Sequence, residues 1–390
     1  MGLHTTCQVV SGPPWNVPDV RVTAGVRSPS VPLRLSWPGC TGPSWARVVK
    51  LRLVDTPAPQ ALQPPIGILA SLAAGFDRIA ARPALILPPL LLDLFLWLGP
   101  QVRAQALIGD LARSLQPPAG IDPALTQQLE AMQQGFGELA VRFNVLSALS
   151  AVPAGVPSLM AARMPAANAL GVTLSAEGGG LLPVAGLWVL FTALGLGLGA
   201  VFQVLIARQL APRDELATIP RAWGRFLLLS AVMYAGLFLA VSGAAVIVSL
   251  ASLILPLLGA GVMFLAFSLV FWLVVYLAFT PHGIIRYRLG VWTAMRTSMQ
   301  LVRWNMPTSV AFLALIMLVT YAAGWVWAMP AENSWFAVLA IVGHALISSM
   351  LMAGSYAFYQ GRHEWMLHLR RAFLARAAAM APPPTPRREE

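Results

Sequence analysis

Two ionisable residues interrupt long apolar stretches of this 390-residue chain and are the first candidates for chemistry. Asp93 follows Pro88 and Pro89 in a leucine-rich run, and His344 lies in an apolar run nearer the carboxyl end. A charge at the centre of a membrane-spanning helix costs about 2.5–3.5 kcal/mol, so each residue is a functional hypothesis by default. A carboxylate that accepts a hydrogen bond from an imidazole would offset both costs.

We therefore treat Asp93 and His344 as a candidate intramembrane polar pair that responds to protons or gates a ligand. The alternative interpretation is structural. In that case Asp93 hydrogen-bonds backbone groups that the neighbouring prolines leave free, and His344 hydrogen-bonds a hydroxyl. The sequence leaves both interpretations open.

Other motifs of catalytic or cofactor sites are absent from the sequence or do not have the required residue spacing. His363 and His368 are five residues apart, whereas the zinc-protease motif places its histidines one helical turn apart. The run 195–199 is not a dinucleotide loop, because it lies inside an apolar stretch; its small-residue spacing lets helices pack closely. Gln203, in the same stretch, is typical of hydrogen bonding between helices. The sequence predicts no catalytic residue, no cofactor and no metal.

The fold class follows from apolar runs of spanning length. The chain is 57% apolar and 11% charged, whereas about 25% charged residues is usual for soluble domains. Residues 226–281 contain no Asp, Glu, Lys, Arg or His, which is enough for two helices of about 20 residues. Backbone groups in lipid must pair within their own segment, so the spans are helices. We predict an all-α, polytopic transmembrane bundle with six spans in three hairpins, at about residues 83–102, 181–207, 226–251, 256–281, 307–329 and 335–359.

The distribution of basic residues predicts the orientation of this bundle. Of the 26 Lys and Arg residues, 22 lie on one side of the alternating apolar runs, and four lie in the segment 103–180. Cytoplasmic loops of membrane proteins carry such an excess. We therefore predict a bacterial cytoplasmic (inner) membrane protein with both termini in the cytoplasm. The net charge of +11 is explained by this pattern, so no nucleic acid partner is predicted.

A short amphipathic helix is predicted before each hairpin, within residues 66–80, 216–226 and 292–302. Such helices lie in the membrane interface, where arginine contacts anionic lipid headgroups. The lipid bilayer is therefore the first predicted partner, and a membrane protein is a second. The arginines predicted to contact lipid headgroups at these helices are Arg78, Arg82, Arg221, Arg225, Arg296 and Arg303.

Three segments flank or interrupt the six-helix membrane domain 59–361. Residues 1–58 show no helical or alternating periodicity, and are either a disordered tail or an upstream extension before a translation start near Leu53 or Val54. Residues 103–180 are predicted to be a helical insertion on the outer side. Residues 362–390 are predicted to form a cytoplasmic basic amphipathic helix and a proline-rich tail.

A seven-residue repeat runs through part of the insertion. Apolar residues that step by four and three indicate a narrow seam for packing against another helix. The partner is either residues 102–115 of the same chain, giving a helical hairpin, or the same segment of a second subunit. The seam residues are Leu125, Leu129, Met132, Phe136, Leu139, Phe143 and Leu146.

The segment 292–305 resembles a recurrent element of uncharacterised bacterial membrane proteins, which include families related to the membrane domain found beside glycerophosphodiester phosphodiesterases. In those families an Ala…Ser…Leu…Asn surface helix leads into a membrane hairpin, matched here by Ala294, Ser298, Leu301 and Asn305. The resemblance implies a six-helix membrane module. It does not imply phosphodiesterase activity, because no such domain is present in the sequence.

Three functional hypotheses follow. The first is a non-enzymatic membrane module that organises lipid or partner proteins, favoured because polar residues within the spans are so few. The second is a small-solute or lipid transporter with Asp93 and His344 as a midplane coupling site. The third is a membrane-embedded lipid enzyme, which the lack of a nucleophile–base set disfavours.

Overall fold

A computed structural model describes residues 64–114, 123–171 and 174–380 of the chain. The predictions for residues 1–58 and for the proline-rich tail fall outside these ranges. The described residues form twelve α-helices: α1 (Ile68–Ala81), α2 (Leu87–Leu98), α3 (Gln105–Ser114), α4 (Pro123–Arg142), α5 (Leu159–Arg163), α6 (Leu181–Ala207), α7 (Ile219–Ile254), α8 (Pro256–Leu277), α9 (Thr280–Arg286), α10 (Val291–Trp304), α11 (Met306–Ala328) and α12 (Ala337–Met380).

Five stretches of helix are long and apolar enough to cross a membrane, namely Leu181–Ala207, Ile219–Ile254, Pro256–Arg286, Met306–Ala328 and Ala337–Ala377. A bent pair, Ile68–Ala81 with Pro83–Leu98, passes the same test and would make a sixth. Many of their large apolar side chains are exposed, as on Leu253 and Leu257 at the turn between α7 and α8. An apolar surface of this extent is typical of contact with lipid. The chain is therefore a helical membrane protein, as predicted.

The helices differ from the predicted spans in their bounds. Helix α7 has 36 residues, or about 54 Å at 1.5 Å per residue, which exceeds a hydrocarbon core of about 30 Å. The amphipathic stretch predicted at 216–226 is the beginning of this continuous helix. By contrast, α10 is a separate helix, and the chain turns at Asn305 before α11 begins.

The first predicted span is divided. A 3₁₀ helix at Pro83–Ile86 precedes α2, which ends at Leu98, so the helix is shorter than the predicted 83–102. The bend between α1 and this segment is 104°. Proline at position 83 lacks a backbone N–H and cannot continue the ladder of α1, which accounts for the break.

Helix α1 packs antiparallel along α12. The buried residues of α1 are Ser71, Gly75 and Ile79, and a Cβ atom on Gly75 would overlap the backbone of Gly354. Just before the amino end of α1, the Ile66 carbonyl accepts a hydrogen bond from the Arg362 side chain of α12. The amphipathic stretch 66–80 thus lies beside α12 and turns its predicted apolar face outward.

The insertion contains the predicted helical pair. Helices α3 and α4 pack against each other. Two short strands near the two ends of the insertion, β1 (Gln101–Arg103) and β2 (Ser175–Glu177), pair in parallel. The seam is not a continuous buried stripe, because Met132 and Leu139 are exposed while Leu129 and Phe136 are half-buried. Packing within the chain is therefore observed, but without the regular burial that a heptad predicts.

Candidate functional site

The second half of the insertion enters the helical bundle. A 3₁₀ helix at Val145–Leu149 and the following loop 150–158 pack against α6. The loop is held by its carbonyl groups: Ala154 O accepts from Gln203 Nε2 at 2.9 Å, and Val152 O accepts from the Tyr234 hydroxyl at 3.0 Å. We call residues 150–158 the inserted loop. It is fixed between α6 and α7 and does not lie apart from the bundle.

Two glycines of α6 make this approach possible. A Cβ atom on Gly195 would overlap the backbone of Leu149, and one on Gly199 would overlap Ala154. The small-residue spacing predicted to bring helices together therefore brings the inserted loop against α6. Gln203, one turn further, hydrogen-bonds the loop and accepts from Tyr356 Oη at 2.9 Å on α12. Its predicted role between helices is confirmed.

Asp93 lies on α2 and is fully buried against the end of the inserted loop. Its Oδ1 atom accepts from the Ser158 hydroxyl at 2.5 Å and from the Met160 backbone N–H at 2.9 Å. Ser158 also caps α5 by accepting from Ala161 N at 3.0 Å. These bonds are of the kind that a buried carboxylate needs. The other oxygen, Oδ2, has no hydrogen-bond partner among the described residues.

His344 lies on α12 and does not hydrogen-bond Asp93. Its Nε2 atom is buried and has no hydrogen-bond partner in the described part of the chain. The two residues are instead related through Ser158, which bonds Asp93 and lines the same cavity as His344. The structure therefore places Asp93 one hydrogen bond away from a cavity that His344 lines, and no contact joins the two residues. Ser158 was not identified from the sequence.

Two adjoining cavities share Thr320 and His344. The outer cavity, of about 580 Å³, lies between α5, α11 and α12, and exposed Tyr321 and Trp325 stand at its margin. The inner cavity, of about 280 Å³, lies between the inserted loop, the α8–α9 junction, α11 and α12. Its polar lining consists of Gln203, His282, Thr320, His344, Ser348 and Ser355.

The lining of both cavities is mostly apolar. Among the described residues, no Asp, Glu, Lys or Arg lines either one. A concave, apolar site with a few convergent polar groups is the usual form of a small-molecule or lipid pocket. The lining lacks the charged partners that an ionised ligand group would need in surroundings of low dielectric constant.

An aromatic cluster lies beside the inner cavity and contacts it through Phe279. Phe279 lines the cavity and stacks on Phe358, with ring centroids 5.6 Å apart. Phe312 stacks on Phe358 at 4.0 Å and 6° between planes. Tyr359 completes this aromatic cluster, with its ring 6.1 Å from that of Phe279. The outer cavity is therefore bordered by exposed aromatic residues, and the inner cavity is bordered at Phe279 by a packed aromatic cluster.

Next to this aromatic cluster, Arg286 forms an ion pair with Glu215. Arg286 Nη1 lies 2.9 Å from Glu215 Oε2. The guanidinium of Arg286 also lies 4.9 Å from the ring centre of Tyr287. Burial raises the pKa of Tyr287 well above its usual range, and the negative charge of Glu364 adds to this shift. The phenol of Tyr287 therefore stays protonated at neutral pH.

The six arginines predicted to contact lipid headgroups divide into two groups. Arg78 Nε donates to Gln209 O at 3.0 Å, and Arg225 Nη1 donates to Arg288 O at 2.8 Å. These two side chains hold segments of the chain together. The side chains of the other four are exposed: Arg82, Arg221, Arg296 and Arg303.

The residues that carry the family resemblance form the packed face of α10. Ala294, Ser298 and Leu301 are fully buried. The Ser298 hydroxyl donates to Tyr276 O at 2.7 Å and accepts from Phe279 N at 3.2 Å, which fixes the α8–α9 junction beside the inner cavity. Asn305 donates to the Leu301 carbonyl at 3.3 Å at the end of the helix.

The sequence reasoning did not identify three residues of this site. Ser158 follows an apolar segment rich in proline, a composition that indicates an irregular loop but not its burial among helices. His282 and Ser355 hydrogen-bond each other at 2.7 Å, and neither stands out in the sequence because their pairing depends on tertiary packing. No group of three His, Cys, Asp or Glu residues arranged to hold a metal ion occurs in the part of the chain that the structure describes.

Comparison with known proteins gives no guide to the role of these cavities. No family model matches the chain, and neither does any curated protein or solved structure.

Proposed function

We propose that this chain is a non-enzymatic membrane protein that binds an amphipathic lipid in the two adjoining cavities. The observation that supports the proposal most strongly is the uncharged, mostly apolar lining, with exposed aromatic residues at the outer margin. A lipid that lies in the bilayer can place its polar end among the few hydrogen-bonding groups while its chains remain outside. The inserted loop forms one wall of the inner cavity, so its fixed position is needed for the site.

Filling the shared part of the cavities is expected to reduce lipid binding roughly tenfold, the equivalent of about 1.4 kcal/mol. Thr320→Trp introduces a large side chain where the two cavities meet. Leu318→Trp is the matched control, because Leu318 is also exposed on α11 and lines neither cavity. Native mass spectrometry of the protein from lipid nanodiscs measures bound lipid. Equal occupancy in the two variants would contradict the proposal.

A second candidate is a carrier for such a molecule. It is favoured by the packed aromatic cluster at Phe279, which would separate the inner cavity from the segment beyond it in one conformation of a carrier. Uptake of a fluorescent lipid analogue across the membrane of proteoliposomes distinguishes the two candidates. Binding without translocation supports the first, and translocation that Thr320→Trp abolishes supports the carrier.

The orientation proposed from the arginine distribution places both termini in the cytoplasm and the insertion outside. Alkaline phosphatase fused after Glu177 is expected to be active, because it would be exported with the insertion. Green fluorescent protein fused to the carboxyl end is expected to be fluorescent in the cytoplasm. An inactive phosphatase at Glu177, or a carboxyl-terminal fusion that does not fluoresce, would overturn this topology.

The four exposed arginines are proposed to contact anionic headgroups at the cytoplasmic surface. Replacing Arg82, Arg221, Arg296 and Arg303 together by Gln is expected to weaken the preference for phosphatidylglycerol over phosphatidylcholine by about 1 kcal/mol for each charge removed. Lipid retention in nanodiscs of mixed composition measures this preference. Arg113→Gln is the control, since Arg113 is exposed on the insertion and pairs with Asp110; an equal loss there would refute the assignment.

A further inference from the structure

Helices α11 and α12 touch near both ends and are separated between these contacts. At one contact the Trp327 ring lies against Gly343, where a Cβ atom would come within 2.3 Å of the ring. At the other, the rings of Phe312 and Phe358 stack with centroids 4.0 Å apart. The two contacts are 15 residues apart on each helix, from 312 to 327 and from 343 to 358, which corresponds to about 22 Å. The two adjoining cavities lie along this stretch, and we call them together the α11–α12 gap.

The gap is long enough to include the middle of a membrane. Both helices belong to stretches that are long and apolar enough to span one. The hydrocarbon core is about 30 Å thick, so a gap of about 22 Å that lies within it extends on both sides of the midplane. A molecule in the gap is therefore not confined to one leaflet.

The two helical walls of the gap differ in polarity. The α12 wall carries His344, Ser348 and Ser355, which are spread over about 16 Å of helix. Ser348 Oγ donates to the Ala345 carbonyl at 3.3 Å, and its oxygen can still accept a hydrogen bond. The facing wall on α11 includes four residues without a polar side chain: Leu313, Ile316, Gly324 and Ala328.

The gap is accessible from the lipid-facing side of α11. Thr320, Tyr321 and Trp325 line it and are exposed. The inserted loop contributes Pro153 and Pro157 to the lining deeper in the bundle. A lipid can therefore keep its chains in the bilayer beside α11 while its polar end lies against α12.

The lining suits an uncharged polar headgroup. A hydroxyl without a hydrogen-bond partner is costly in hydrocarbon, and the polar groups along α12 offset this cost. Among the described residues, no Asp, Glu, Lys or Arg lines the gap. An ionised headgroup would therefore lack a partner of opposite charge.

We propose that the α11–α12 gap lets a lipid with an uncharged headgroup pass between the two leaflets, with the headgroup against α12 and the chains in the bilayer. The inference rests on the proposed lipid-binding function and adds passive movement across the midplane. It differs from the carrier, because the gap already extends past the midplane and the aromatic cluster at Phe279 need not open.

The test uses vesicles that hold the full chain and an NBD-labelled glucosylceramide in both leaflets. Dithionite added outside bleaches only the outer leaflet unless the lipid crosses during the assay. Vesicles with the wild-type protein are expected to lose the fluorescence of both leaflets, and protein-free vesicles that of the outer leaflet alone. Soluble NBD-glucose trapped inside must stay fluorescent, which shows that dithionite has not entered.

Two variants of α11 locate the path. Thr320→Trp places a large ring where the two cavities meet and is expected to slow the crossing about tenfold, a change of about 1.4 kcal/mol in the barrier. Leu318→Trp is the matched control and is expected to keep the wild-type rate, because Leu318 is exposed on the same helix and lines neither cavity. Equal rates in the two variants would show that the lipid does not cross through the gap.

A second probe tests the headgroup class. NBD-labelled phosphatidylglycerol carries a negative charge and is expected to cross about tenfold more slowly than the glucosylceramide, because no charged side chain of the described lining can pair with its phosphate. Crossing at an equal or higher rate would overturn the assignment of an uncharged headgroup.

The outcomes separate the inference from the proposed function. Wild-type vesicles that keep their inner-leaflet fluorescence overturn the passage, and they leave the lipid cavity standing if Thr320→Trp still lowers lipid binding. If Thr320→Trp also leaves the binding of every lipid unchanged, both are overturned. The comparison of wild-type with protein-free vesicles decides the matter even where a variant fails to fold.

Discussion

Gly199→Ala is expected to lower the free energy of unfolding by about 1–3 kcal/mol, the usual cost of overpacking a filled interior. The added methyl group would overlap the backbone of Ala154, which has no flexible end to move aside. The inserted loop must then shift away from α6. The hydrogen bond from Gln203 to Ala154 O is lost with that shift, and one wall of the inner cavity is displaced.

Gly186→Ala provides the matched control, because Gly186 lies on the same helix and a Cβ atom there meets nothing within 4 Å. Alanine is the better helix former by about 1 kcal/mol, so this variant is expected to be neutral or slightly more stable. Denaturant titration in detergent micelles measures both, and limited proteolysis reports whether residues 150–158 become accessible. Equal stability of the two variants would show that α6 does not need its glycine at this contact.

The glycines of α6 show which features of the packing the sequence predicts and which it does not. Their spacing within an apolar stretch indicates close packing, and the close packing is present. The identity of the partner was not predictable, because it lies about 45 residues earlier in a segment whose prolines indicate only irregular backbone. Helix periodicity likewise predicted α10, and the length of the apolar runs predicted the longest apolar helices.

Contacts between distant segments account for the remaining differences. The amphipathic pattern at 66–80 predicted the helix α1, but not that Gly75 lets this helix pack along α12. His282 does not stand out in the sequence. It hydrogen-bonds Ser355, which is 73 residues away, and no local spacing encodes that pairing. The candidate site was therefore predicted at the level of Asp93 and His344 and not at the level of their partners.

Asp93→Leu is expected to be among the most destabilising substitutions on α2. It removes the acceptor of two buried donors, the Ser158 hydroxyl and the Met160 N–H, and each unpaired donor costs about 1–3 kcal/mol. Asp93→Asn is expected to cost less, because the amide oxygen still accepts both bonds. If Asp93→Leu is no more destabilising than Asp93→Asn, the hydrogen bonds that Asp93 accepts do not stabilise this contact.

A double-mutant cycle distinguishes Ser158 from His344 as the partner of Asp93. Combining Asp93→Ala with Ser158→Ala is expected to give an interaction free energy between about 0.5 and 3 kcal/mol, because the residues share a hydrogen bond. Combining Asp93→Ala with His344→Ala is expected to be additive within about 0.5 kcal/mol. The opposite pattern, with coupling to His344 and none to Ser158, would restore the direct carboxylate–imidazole pair. Asp93 would then belong to the ligand site itself, whereas coupling to Ser158 makes it the support that holds the inserted loop against α2.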